Sequence, residues 1–324
     1  MKQTKILVTG ASGFIGATFL KRFAGRENLL LCGAGRRPVH DFPPSVRYVP
    51  VTLDQLDSLD FQPDVVIHAA GRCSPWGSPQ EYQQDNVATT RQVIDFCHRR
   101  GFPRLIFLST AAVYYRFAHQ QDISENAPIG PAFTSEYGRS KYQAEQQVAD
   151  YPGEKTIFRP CAVFGPGDRL LLPPLVKAAR LRKLPGLDSG AVASRADLMH
   201  VDTLCDYLLS AATHPRLRPC YNISANCPVE TQKFLCDLLH QLGLPQPEKK
   251  VRLNLALRAA SLMELLWRWL PLKGEPPITR FGVAVFGYSA TLDVSHMLND
   301  FGPPAVGFHP LLARFIQYYR VNNL

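Results

Sequence analysis

The chain has 324 residues, 46% of them hydrophobic and 19% charged, which suffices for a large core in one big or two modest domains. A formal charge of +9 points to an anionic ligand, a membrane surface or nucleic acid, but the basic residues are spread out and no recognition motif accompanies them, so nucleic acid is excluded. Eight cysteines (Cys32, Cys73, Cys97, Cys161, Cys205, Cys220, Cys227, Cys236) show no Cys-x-x-Cys pair and no histidine at ligand spacing. They are read as small buried hydrophobes in a reducing compartment, which excludes a disulfide framework and a zinc site. No metal is expected.

Met1–Lys5 runs straight into the apolar stretch Ile6-Leu7-Val8, with no long apolar segment or small-residue cleavage site, and a cytoplasmic protein is expected. Lys5–Thr9 reads as a buried strand. Gly10-Ala11-Ser12-Gly13-Phe14-Ile15-Gly16 follows, then an amphipathic run over Thr18–Phe23. This is Gly-x-x-Gly-x-x-Gly between strand and helix: the first glycine permits the turn, the second lets backbone approach a pyrophosphate, and the third packs helix on strand. A second strand, Leu29–Cys32, ends in Gly33-Ala34-Gly35-Arg36-Arg37. Gly35 stands where a carboxylate would meet a free ribose 2′-hydroxyl, and two arginines follow, so NADP(H) is expected in preference to NAD(H).

Val46–Val51 and Asp64–His68 are further strands, the latter running into Ala69-Ala70-Gly71, small enough to pass beneath a dinucleotide. His68 is read as a packed strand-end histidine. A loop with Pro75, Trp76, Gly77 and Pro79 leads to a helix over Glu81–Arg100 that carries Asn86. Arg104–Leu108 is the fifth strand and ends at Ser109-Thr110, hydroxyls at the carboxyl end of a parallel strand, where such sheets place ligands. After a polar loop, Phe117–Phe133, a helix over Tyr137–Tyr151 opens with Tyr137-Gly138-Arg139-Ser140-Lys141. The phenol and the amine leave the same helix face, and an ammonium close to the phenol would lower its pKa by ~1–3 units.

Lys155–Arg159 is a sixth strand, broken by Pro160, and Gly165-Pro166-Gly167-Asp168 marks an exit from the sheet. Alternating strands and helices imply an α/β fold: a doubly wound parallel sheet covered on both faces. Beyond it lie a helix over Leu170–Leu184, a short strand over Asp197–Val201, a helix over Asp202–Thr213, a late strand Cys220–Ile223, and closing helices Asp293–Phe301 and Pro310–Arg320. Arg258, Glu264 and Arg268 interrupt the apolar run Leu253–Leu270 and argue against a membrane span. The run reads as a substrate-domain or dimer-contact helix, with peripheral membrane contact left open by Trp267 and Trp269.

Thr9-Gly10-x-x-Gly13-x-x-Gly16, His68-Ala69-Ala70-Gly71, Ser109-Thr110, Tyr137-x-x-x-Lys141, Arg159-Pro160 and His200-Val201-Asp202 together resemble the extended short-chain dehydrogenase/reductase family, in the family's order. The resemblance implies a Rossmann domain over 1–165 and about 200–225, and a smaller, mostly C-terminal α+β substrate domain over about 166–199 and 226–324. It implies Tyr137 as acid/base, Lys141 holding the nicotinamide ribose and lowering the tyrosine pKa, and Thr110 orienting the reacting oxygen. Cofactor contacts are implied for Gly10, Ser12, Gly13, Phe14, Ile15, Gly16, Arg36, Arg37, Leu53, Ala69, Ala70, Gly71, Asn86, Ser109, Tyr137, Lys141, Pro160 and Val163. At Thr52-Leu53 the chain departs from the family's Asp-Leu.

Family members acting on nucleotide sugars carry Arg-x-x-Asn after the sixth strand; here Arg159-Pro160-Cys161-Ala162 puts an alanine where the asparagine would contact the diphosphate. Arg159-Pro160, the Trp76-Gly77 loop, Gly165–Asp168 and Glu275-Pro276-Pro277-Ile278-Thr279-Arg280-Phe281 instead resemble the 3β-hydroxysteroid dehydrogenase-like branch, which includes 2-alkyl-3-oxoalkanoate reductases. The expectation is an NADP(H)-dependent oxidoreductase interconverting a secondary alcohol and a ketone on a hydrophobic small molecule. A nucleotide-sugar epimerase or dehydratase and a non-catalytic NADP(H)-binding sensor are the alternatives. A homodimer through the helices at Glu81–Arg100 and Tyr137–Tyr151 is implied by the resemblance alone.

Overall fold

The computed structural model describes residues 3–190, 192–270, 272 and 274–322. Seven strands form one all-parallel sheet: β1 (Thr4–Thr9), β2 (Leu29–Gly35), β3 (Val46–Pro50), β4 (Val65–His68), β5 (Arg104–Leu108), β6 (Lys155–Pro160) and β7 (Cys220–Ile223). Their order is β7-β6-β5-β4-β1-β2-β3. The chain therefore builds outward from β1 on one side, then crosses to β4 and builds on the other. Between β1 and β4 the winding reverses, and a crevice opens beyond their carboxyl ends.

Side chains alternate along each central strand, and both faces are apolar. Ile6 and Val8 of β1, Val65 and Ile67 of β4, and Ile106 and Leu108 of β5 join one core; Leu7, Val66, Leu105 and Phe107 join the other. Helix α1 (Phe14–Phe23) and helix α4 (Val201–Thr213) cover the first face, with Phe19, Leu20, Leu204 and Leu208. Helices α2 (Thr89–Arg99) and α3 (Glu136–Ala149) cover the second, with Val93, Phe96, Ala144 and Val148. The fold class expected from the strand–helix rhythm is the one observed.

Several boundaries differ for local reasons. The sixth strand includes Pro160: β5 has already ended opposite Phe158, so the missing N–H removes no ladder bond there, and Cys161 N resumes donation, to Ile223 O at 2.9 Å. The helix expected over Leu170–Leu184 is shorter, Leu172–Arg180. The Asp168 carboxylate accepts from the Leu170, Leu171 and Leu172 N–H groups and sets its start. The loop expected over Phe117–Phe133 contains a strand, Gln120–Ile123, paired with Ala290–Leu292 in a four-stranded mixed sheet. Helices at Thr231–Gln241 and Arg280–Gly287 were not expected. The helix carrying Asn86 begins at Pro79 and widens into a π segment over Gln83–Ala88 before α2.

Candidate active site

The floor of the crevice is glycine where a side chain has no room. Gly10, with φ +69°, turns the chain out of β1, and a Cβ on it would lie 2.6 Å from Ala70 N, at the end of β4. A Cβ on Gly16 would lie 2.6 Å from the Gly10 carbonyl, so α1 can approach β1 this closely only with glycine. Gly13 caps α1 without any side-chain hydrogen bond, and no acidic residue stands in its first turn. The Phe14, Ile15 and Gly16 amides beside Ser12 thus face an anion site at a helix N-terminus. These features fit a dinucleotide pyrophosphate.

At the end of β2, a Cβ on Gly35 would fall 2.9 Å from both Ser12 Oγ and Tyr48 Oη, so a carboxylate there would have to displace these hydroxyls. Arg37 donates to the Ser12 carbonyl at 2.5 Å. The Arg36 side chain is 75% exposed, with Asp85 3.8 Å away; Asp85 itself is held at 3.0 Å by Arg72. Leu53 packs at the edge of the second core.

The catalytic candidates converge from one strand end and one helix. Tyr137 stands in the first turn of α3, which Ser135 caps by accepting from Gly138 N at 3.1 Å. The Thr110 hydroxyl, at the end of β5, lies beside the phenol and works to lower its pKa. One turn on, Lys141 is 5% exposed, and its Nζ lies 4.2 Å from the centre of the Phe107 ring. No other side chain or carbonyl among the described residues hydrogen-bonds it. Burial pulls Lys141 down from 10.5 to about 8, opposed by the Cys73 thiol and the Glu145 charge.

The tyrosine differs from the sequence expectation. Burial raises its pKa above the ordinary 10, Cys73 adds to the rise, and only the Thr110 hydroxyl works the other way. Lys141 is not among the groups acting on it, because its ammonium is directed over Phe107 rather than at the phenol. Tyr137 is therefore a neutral phenol at neutral pH, set up to give a proton.

Two networks fix this geometry. Asn86, presented inward by the wide turn of the π segment, accepts from Arg72 N at 2.7 Å and donates to Ser140 Oγ at 2.8 Å, joining the Gly71 loop to α3. Ser140 in turn donates to the Tyr137 carbonyl at 2.9 Å. Beneath, Glu145 accepts from Arg159 at 2.6 Å and from the Ser109 hydroxyl, and Arg159 reaches Tyr114 Oη at 2.5 Å. Ser109 thus spends its hydroxyl on Glu145, and of the two hydroxyls only Thr110 bears on the phenol. Ser140, Glu145 and Phe107 had no motif to announce them. His68 is packed as read, bonded to Thr9 and Thr90 at 2.8 and 3.1 Å, and burial holds it neutral, near 3.

Pro160 ends β6 opposite Ile223, and Val163 lies in the short strand Ala162–Phe164, paired with Met199. Beside Ala162 is a mostly apolar cavity lined by Tyr115, Leu171, Leu198, Phe234 and Phe286, with Asp197 at its edge and room of about 30 Å³ for a water-sized sphere. That holds a water or two. Cys73 corrects the reading of all cysteines as buried: it is exposed, because it lies in the loop after Gly71 rather than in a strand. Cys220, Cys227 and Cys236 are half-buried, and all eight thiols are free.

A glycine-floored crevice at the sheet's switch point, a phenol with a hydroxyl partner and an uncommitted buried ammonium define a dinucleotide-dependent oxidoreductase of the extended short-chain type. The chain belongs to the NAD dependent epimerase/dehydratase family, whose model matches residues 6–224. It is 31% identical over 295 residues to a 2-alkyl-3-oxoalkanoate reductase of Stenotrophomonas maltophilia, covering 86% of this chain and 87% of that one. It is 27% identical over 254 residues to 3beta-hydroxysteroid-dehydrogenase/decarboxylase isoform 1 of Arabidopsis thaliana, covering 74% of this chain and 58% of that one. In fold it is similar to a dTDP-glucose 4,6-dehydratase of Streptomyces venezuelae solved with NAD, with a TM-score of 0.74 at 20% identity over 99% of this chain and 98% of that one.

Proposed function

We propose that the protein is an NADP(H)-dependent reductase that interconverts a ketone and a secondary alcohol on a hydrophobic substrate of the 3-oxoacyl or steroid-like class. A bound nicotinamide supplies the hydride chemistry. Tyr137 donates the proton to the substrate oxygen in reduction and takes it back in oxidation, while Thr110 holds that oxygen and Lys141 meets the ribose. Gly10, Ser12, Gly13, Phe14, Ile15, Gly16, Ala69, Ala70 and Gly71 carry the pyrophosphate side of the site, with Leu53, Asn86, Pro160 and Val163 along its walls. The substrate side comes from about 166–199 and 226–324.

The observation that carries the substrate class is the mostly apolar wall around Ala162, Phe234 and Phe286, which presents no basic side chain to a diphosphate. The reductase and steroid dehydrogenase relatives support the same class. The cofactor preference is supported by Gly35, which presents no carboxylate where one would meet a ribose 2′-hydroxyl, and by the exposed Arg36. On the family likeness the reading also includes a cytoplasmic homodimer through α2 and α3. Among the described residues no helix is long and apolar enough to cross a membrane.

The test is NADPH oxidation by the purified protein with a 2-alkyl-3-oxo acid, beside a parallel reaction with NADH. Consumption that requires the oxo acid and prefers NADPH is expected. Turnover of UDP- or dTDP-sugars with tightly held NAD instead would establish the epimerase or dehydratase reading, which the fold likeness to a dTDP-glucose dehydratase keeps in view.

A further inference from the structure

Helix α5 (Leu253–Trp269) is built inside out. It packs on its neighbours through Leu253, Ala256 and Ala260, while its bulkiest apolar side chains face water: Leu255 is 54% exposed, Leu262 57%, Leu265 52% and Trp269 80%. With 3.6 residues per turn, Leu255, Leu262, Leu266 and Trp269 fall in a stripe roughly 60° wide, and Arg258 and Leu265 border it. Exposed Leu270 and Leu272 prolong the apolar surface past the helix end. Scattered exposed leucines need no explanation, but a continuous stripe marks an interaction face.

Charge selects the occupant. From 246 to 280 the chain carries seven Lys/Arg and three Glu. Glu248 is paired with Arg182, Glu264 accepts from Arg280 N at 2.8 Å, and Glu275 accepts from Ser74 Oγ at 2.6 Å. The carboxylates are engaged elsewhere, while Arg258 at the edge of the stripe and Lys249, Lys250 and Arg252 just before the helix are exposed. A second copy of this face would bring those cations against one another. An anionic bilayer surface complements both the apolar stripe and its basic border.

We propose that α5 docks the protein on anionic membrane surfaces and holds the mouth of the catalytic crevice at the lipid boundary. The link is direct: the Arg268 guanidinium lies 5.6 Å from the centre of the Trp76 ring, and Glu275 takes the Ser74 hydroxyl. Ser74 and Trp76 follow Cys73, which neighbours both Tyr137 and Lys141. A substrate held in the bilayer would then enter beside the docking helix. That last clause rests on the hydrophobic-substrate reading; docking itself does not.

The test is co-sedimentation of the full chain with phosphatidylcholine vesicles and with vesicles of equal parts phosphatidylcholine and phosphatidylglycerol, with tryptophan emission read in parallel. Binding to the anionic vesicles, a blue shift that Trp269→Ala reduces, and about a tenfold weaker association in the Leu262→Glu/Leu266→Glu variant or in Arg258→Glu are expected. Both variants change exposed side chains and should melt as the parent does. No association with anionic vesicles at low salt, or binding indifferent to these variants, overturns the proposal. So does a dimer that Leu262→Glu/Leu266→Glu dissociates, which would show a second copy on the face. Vesicle binding without turnover of any oxo acid would leave docking standing and remove the substrate reading alone.

Discussion

Glu145 lies one helical turn beyond Lys141 on α3, and its carboxylate is taken by Arg159 at 2.6 Å across a fully buried contact. The lysine next to it is therefore left without a carboxylate partner and remains available to ribose hydroxyls. Its ammonium is kept in place by the Phe107 ring at 4.2 Å and by the longer-range attraction of Glu145.

Glu145→Gln should be the most destabilising single change near the site. It strands the Arg159 guanidinium in a dry interior, a loss on the order of 3 kcal/mol in denaturant unfolding. A variant as stable as the parent would show that solvent reaches Arg159.

Lys141→Met should abolish most turnover and weaken NADP(H) binding, yet stabilise the cofactor-free protein at neutral pH. The lysine sits near 8 in the fold against 10.5 when unfolded, so between those values the unfolded chain holds a proton that the folded one has released. Stability of the parent should rise with pH across that window, and the methionine variant should lose the rise. Thermal melts between pH 7 and pH 10, an interval on the order of the shift itself, check the sign.

Tyr137→Phe should lower kcat by a factor of about 10³ or more while leaving cofactor affinity within about twofold. Because burial holds the phenol above 10, reduction at neutral pH should show no loss of activity as the pH approaches 8 that can be traced to the tyrosine. Near-normal turnover in the phenylalanine variant would remove the proton-transfer role.

Arg36→Ala should narrow the preference for NADPH over NADH by about tenfold, the loss of one charge-assisted contact. Gly35→Asp should not rescue NADH use, since its side chain would begin 2.9 Å from Ser12 Oγ and Tyr48 Oη. Unaltered selectivity in Arg36→Ala would place the discriminating contact elsewhere, with Arg37 the next candidate.

Cys73 is the exposed thiol beside the reacting groups. Because burial raises the Cys73 thiol pKa, N-ethylmaleimide should block turnover faster as the pH rises above neutral, NADPH should slow the loss, and Cys73→Ser should be resistant. Equal sensitivity of the serine variant would assign the effect to a different cysteine.

Strands were legible because Ile6-Leu7-Val8 and Val65-Val66-Ile67 are apolar at every position, as a sheet covered on both faces requires. The glycine turn was legible because its spacing is itself the geometry; the Tyr137/Lys141 spacing placed both side chains at one end of α3 but gave no sign that the ammonium turns over Phe107. Ser140 and Glu145 were not legible: each acts through a partner 54 or 14 residues away, and neither spacing leaves a local signal. The strand Gln120–Ile123 was hidden for the same reason, since its partner Ala290–Leu292 comes some 170 residues later. Hydrophobicity marked Leu253–Leu270 as a helix but could not say which way its leucines point. That depended on Ala256 and Ala260 being the side chains small enough to face the protein.

The near-contact between Gly10 and Ala70 has a consequence for anyone recombining this protein with its relatives. Two segments sixty positions apart share a single layer of backbone thickness, so the first β-turn is not a transferable cassette. A chimera that imports residues 1–35 from another member must import 68–71 as well, or accept a floor whose two halves were shaped for different neighbours.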